Sequence, residues 1–114
     1  MGKIHYSREA RADLANIKEY ISGELANPGA ALRTVAHITK RIRETERFPE
    51  IGALLSSIVD IDTNYRFLVC KSYLAFYRIE GQDVYIVRVL YGSRDYLAIL
   101  FGELPQDGEE EQKA

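Results

Sequence analysis

Apolar residues in this chain keep a helical period up to Ile42 and a strand period after RFPEIG (47–52), so two kinds of secondary structure meet at one Pro/Gly boundary. Before that boundary Ser7 is placed to cap a helix whose Ala10, Leu14, Ile17 and Ile21 fall at spacings of four, three and four. Asn27 and Pro28 open a second helix, and Ala31, Val35, Ile38 and Ile42 repeat the same spacing. Two amphipathic helices joined this closely predict an antiparallel hairpin. After the boundary the runs SIVDI, YRFLVC, YLAFYRI and VYIVRVLY are rich in β-branched and aromatic residues and are separated only by DTN, KS and EGQD. Such short links predict hairpins and hence an antiparallel sheet of three to four strands with the helical hairpin on one face. KIHY adds a short N-terminal strand, and DYLAILF, begun near Asp95, a short closing helix. The fold class is therefore α+β.

At 114 residues and 46% apolar content the chain holds one core, expected over residues 1–102. Residues 103–114, ELPQDGEEEQKA, carry five acids against one lysine, a net of −4, and read as a disordered tail, with shielding of a basic site in cis as the alternative. Since the whole chain is −2, the first 102 residues are +2. That balance is far from the strongly basic profile of a protein held to nucleic acid by many phosphate contacts, so direct sequence-specific DNA binding is not expected. Cys70 is the sole cysteine, which excludes an intrachain disulfide. No leader-like or membrane-spanning apolar stretch is visible, and a cytoplasmic location is expected.

Three arginines, Arg66, Arg78 and Arg88, stand one per strand among apolar neighbours, where each must pair or reach an open edge. They form either a cationic surface for a phosphate or an acidic partner, or a set of snorkelling side chains and satisfied ion pairs with Asp60, Asp62 or Asp83. A second basic series, Arg33, His37, Lys40, Arg43 and Arg47, recurs on the polar side of the second helix. It reads as a solvated face or as a docking stripe. The phrase RVLYGSRDY (88–96) ends the last strand in a turn where Gly92 permits a tight exit, Tyr91 and Arg94 project, and Asp95 caps the closing helix. Arg66, Arg88, Tyr91, Arg94, Asp95 and Tyr96 are accordingly the candidate partner-binding residues. Neither His5 nor His37 has metal-ligand spacing to another donor, and there is no glycine-rich phosphate loop, so no metal or cofactor is expected.

The order SREARADLANIKEYI, then ITKRIRETERFPEIG, then KSYLAFYRIEGQDVYIVRVLYGSRDYLAILF resembles the RelE/ParE superfamily of type II toxin–antitoxin toxins, often termed plasmid stabilisation proteins. The resemblance spans residues 3–102, and its specific part is the RVLYGSRDY ending after the YLAFYRI strand. It implies a toxin neutralised by a cognate antitoxin. The RelE-like branch cleaves mRNA on the ribosome; its pattern matches here at Arg66 and Arg94, with Tyr91 and Tyr96 as further candidates. Leu68 and Leu74 stand where that branch has a lysine and an arginine, and Leu100 where it has a tyrosine. The chain is more similar to the ParE-like branch, which implies inhibition of DNA gyrase by binding, without catalysis. The alternatives are a ribosome-dependent mRNA endoribonuclease and a non-toxic member that only pairs with its partner.

Overall fold

The computed structural model describes residues 2–102, and the expected acidic tail at 103–114 lies outside them. Strand β1 (Ile4–Tyr6) leads into helix α1 (Arg8–Glu19), a π-helical turn at Tyr20–Glu24, and helix α2 (Pro28–Arg43). Short strand β2 (Ala53–Leu54) follows, then β3 (Arg66–Cys70), β4 (Tyr73–Glu80), β5 (Asp83–Tyr91) and helix α3 (Tyr96–Phe101). The caps are those the sequence implies. The Ala10 amide donates to Ser7 Oγ at 2.9 Å and the Ala30 amide to Asn27 Oδ1 at 3.1 Å, with Pro28 in the first turn.

The sheet order is β1-β5-β4-β3-β2. All neighbours are antiparallel except β1 and β5, which run parallel. The sheet is thus mixed and five-stranded, where short links alone predict three or four antiparallel strands. The long excursion through both helices and three strands between β1 and β5 is what allows the parallel pairing.

Both faces of the sheet are covered. Ala10, Ile17, Ala31, Ile38 and Ile42 of the hairpin pack on Leu68, Cys70, Ala75, Tyr77, Val84 and Ile86. On the opposite face Leu55, Phe76 and Leu90 are buried, with Tyr96, Ile99, Leu100 and Phe101 of α3 packed against them. Two-sided burial explains why β4 buries three consecutive residues, Ala75 to Tyr77.

Two strand expectations are corrected. Simple alternation along β5 groups Val84, Ile86, Arg88 and Leu90, but Phe76 pairs with Arg88 while Tyr77 pairs with Ile86, leaving Val87 as a bulge. One extra residue reverses the alternation beyond it, so Val89 joins Val84 and Ile86 on the hairpin side and Leu90 joins Val87 under α3. SIVDI is not a strand; the strand there is Ala53–Leu54, followed by a 3₁₀ turn at Leu55–Ser57. Local bonds take the amides a strand would need: the Ile58 and Val59 amides donate to the Leu55 carbonyl at 3.1 and 3.2 Å, and Ser57 Oγ reinforces the turn by donating to the Leu54 carbonyl at 2.6 Å.

Candidate functional site

The arginines of the sheet are held from within. Arg88 donates from Nε and Nη2 to the two carboxylate oxygens of Asp13, both at 2.8 Å, and the Val89 amide donates to Asp13 Oδ2 at 2.9 Å. The partner is therefore none of the aspartates that the sequence offers as candidates. Its place follows from the topology. Past Tyr6, β1 no longer covers the edge of β5, and the exposed edge groups pass to α1. Ser7 takes the Ile86 and Val87 carbonyls through its amide and hydroxyl, and Asp13 takes the Val89 amide. The hydrogen bonds to Asp13, opposed by burial, hold the Arg88 guanidinium above its ordinary range.

Arg66 braces the segment before β2, donating from Nη1 to the Gly52 carbonyl at 2.7 Å and the Glu50 carbonyl at 3.3 Å. Tyr77 fastens the same segment: its hydroxyl donates to the Pro49 carbonyl at 2.6 Å and accepts from the Gly52 amide at 2.8 Å. Burial raises the pKa of this phenol. Arg78 donates to Glu80 at 2.6 Å and lies 4.9 Å over the Tyr85 ring, which stacks on His5 at 4.5 Å. His5 in turn meets Asp83 at 3.0 Å, and hydrogen bonds from the Lys3 amide and His5 lower the pKa of that carboxylate.

The remaining candidates gather at the other end of the sheet. Tyr91 and Arg94 line an open groove of about 730 Å³ between the helical hairpin and the strand ends. Ile17, Ile21 and Val89 form its apolar floor, and Asp13 contributes to its wall. Tyr20 and Leu25, at and just after the π-helical turn, edge it at 52% and 56% exposure, and Tyr91 is 49% exposed with its ring edge-on to Tyr73 at 5.6 Å. Among the described residues Arg94 has no ion-pair partner. Asp95 caps α3, accepting from the Ala98 amide at 3.4 Å, and Tyr96 turns inward against Phe76 at 5.2 Å.

The six candidates thus separate into a groove pair (Tyr91, Arg94), a cap and its packed neighbour (Asp95, Tyr96), and two braces (Arg66, Arg88). Arg66 is level with Ile86 through Tyr77, about 15 Å along the strand direction from Tyr91. The sequence reading omits Asp13, although an acid three residues after Ala10 and four before Ile17 is a visible intruder in an apolar stripe. It also omits Tyr20 and Leu25, whose outward position follows a π-turn that spacing does not show.

The three leucines at departures from the nuclease pattern are packed. Leu68 is 1% exposed beneath the hairpin, Leu74 sits in the apolar layer under α3, and Leu100 packs into that layer from α3. No helix among the described residues is long and apolar enough to cross a membrane.

Residues 4–96 match the family profile of the ParE toxin of type II toxin–antitoxin systems, parDE. A search of curated proteins gives no match. Among solved structures, one described as "Chromosomal ParDE TA system from P. aeruginosa" is similar over 80% of this chain and 96% of its own, with 26% identity and a TM-score of 0.67. With the profile covering most of its length and the mixed sheet, helical hairpin and closing helix in place, the chain belongs to the ParE toxin family of type II toxin–antitoxin systems.

Proposed function

We propose that this toxin inhibits DNA gyrase by stoichiometric binding in the bacterial cytoplasm, and that its cognate antitoxin neutralises it by laying an amphipathic segment into the groove between Tyr20 and Tyr91. The observation that carries the reading is the apolar packing of Leu68, Leu74 and Leu100, at the three positions where an RNA-cleaving relative would place polar, mostly cationic groups. RNA cleavage of that kind depends on charged donors aimed at one phosphate. Of the two arginines that match that pattern here, Arg66 is tied to backbone carbonyls and Arg94 lines the groove at the other end of the sheet, so the two are not aimed at one phosphate. What stays exposed is an amphipathic rim, Tyr91 and Arg94 beside Tyr20 and Leu25, of the composition that anchors protein interfaces. An apolar groove with such a rim also suits a helix laid in it.

The test is expression in bacterial cells with and without the adjacent antitoxin reading frame. The expected result is growth arrest with induction of the DNA-damage response and intact messenger RNA, relieved by the antitoxin. Messages cut at codon positions would replace this reading with the endoribonuclease, and unimpaired growth would replace it with a partner-binding protein that is not toxic.

A further inference from the structure

The outward side of α2 presents a basic row that the groove does not use. Arg33, Lys40 and Arg43 are exposed along it, His37 is half-buried, and Arg47 continues the row just beyond the helix. Among the described residues none of these four exposed cations has a carboxylate at ion-pair distance; Glu44, the nearest acid in sequence to Arg43, is taken by Arg41. An uncompensated cationic row favours an anionic occupant.

The chain supplies one. Helix α3 runs back along the sheet until Phe101 stacks on Tyr65 at 5.6 Å. Tyr65 adjoins Arg66, whose guanidinium holds Glu50 and Gly52, so α3 delivers the chain to the end of the sheet where the Arg47–Gly52 segment lies. The next residues are ELPQDGEEEQKA, net −4, against a +2 balance in the preceding 102. Glu109–Glu111 lie seven to nine residue steps beyond Gly102. That length of extended chain spans about 25–30 Å, ample to round the sheet edge and follow Arg47, Arg43 and Lys40.

We propose that residues 103–114 dock on the basic side of α2 as an intrachain occupant, which an external acidic partner must displace. Tethering presents the segment at an effective concentration on the order of millimolar, so individually weak exposed pairs suffice for occupancy at low salt. The proposal concerns the isolated chain and stands apart from the gyrase reading.

Carbodiimide coupling of the purified 114-residue chain, followed by peptide mass spectrometry, tests it directly, because Lys3, Lys18, Lys40 and Lys71 are all exposed and only Lys40 lies in the row. The expected result is coupling of Glu109–Glu111 to Lys40 several-fold above coupling to Lys71. That preference should disappear in an Arg43→Gln/Arg47→Gln variant, whose changes are at exposed positions, and between about 0.01 M salt, with a Debye length of about 30 Å, and about 1 M, with about 3 Å. Equal coupling to all four lysines, no coupling to Lys40, or a Lys40 preference indifferent to both salt and the arginine substitutions would overturn the proposal.

Discussion

The Asp13 carboxylate serves two parts of the fold at once, satisfying a guanidinium and the open-edge amide of β5. Replacing it with alanine leaves Arg88 unpaired with its side chain three-quarters covered and Val89 without an acceptor. Removing one partner of a fully buried pair costs about 3–5 kcal/mol; the partial exposure of Arg88 reduces this to about 2–3 kcal/mol. Urea unfolding of Asp13→Ala should show that loss as a lower midpoint, with Asp13→Asn less affected because its amide oxygen still serves Val89. Equal stability in wild type and Asp13→Ala would remove the latch from the account. Cys70 makes a different prediction. Burial, partly offset by Arg41, pushes its thiol from 9.0 up to about 11. A folded pKa raised above the unfolded one gives a contribution that is complete below pH 9 and lost as pH rises through about 11. Thermal melts should therefore fall across that alkaline window, less steeply in Cys70→Ala, and the native thiol should resist alkylation near neutral pH.

The elements were legible in the sequence where one local signal determined them. Ser7, Asn27 and Asp95 cap helices because a short polar side chain reaches a free amide two or three residues on, a relation visible in the string itself. The helix stripes were legible for the same reason: spacing fixes a face. The bulge at Val87 was not, because an extra residue is defined by the partner strand and not by the strand that carries it. The fate of SIVDI was hidden too, since its β-branched residues satisfy the strand pattern while turn bonds win locally. Of the candidate site, the turn phrase is visible in the string but its groove is not, because Tyr20 and Leu25 come from the far end of the hairpin. The Pro49–Gly52 segment offers the test at this scale. A Cβ on Gly52 would lie 2.7 Å from the Phe67 carbonyl oxygen and 2.7 Å from the Tyr77 hydroxyl. Backbone cannot yield as a side-chain tip can, so Gly52→Ala should cost about 1–3 kcal/mol and loosen the brace. Hydrogen exchange should rise at Glu50–Leu54 while the α1–α2 amides stay protected; unchanged exchange would mean that the segment does not depend on this close approach.

At the scale of the whole molecule, the covered sheet faces and the groove between hairpin and strand ends divide stability from recognition. Arg88 and Asp13 tie α1 to the edge of β5, Arg66 and Tyr77 fasten the Pro49–Gly52 segment, and Tyr91 and Arg94 project where a macromolecular partner can reach them. Changes at the rim should therefore alter target binding with little effect on folding, whereas changes at the braces should do the reverse. The most direct measurement is a supercoiling assay with purified DNA gyrase, relaxed plasmid and the toxin at and above stoichiometric ratio, with Arg94→Ala alongside. Loss of supercoiling or accumulation of cleaved plasmid, weakened about tenfold or more in the variant as for an interface anchor, is the predicted result. Full gyrase activity in the presence of excess folded toxin would contradict the account.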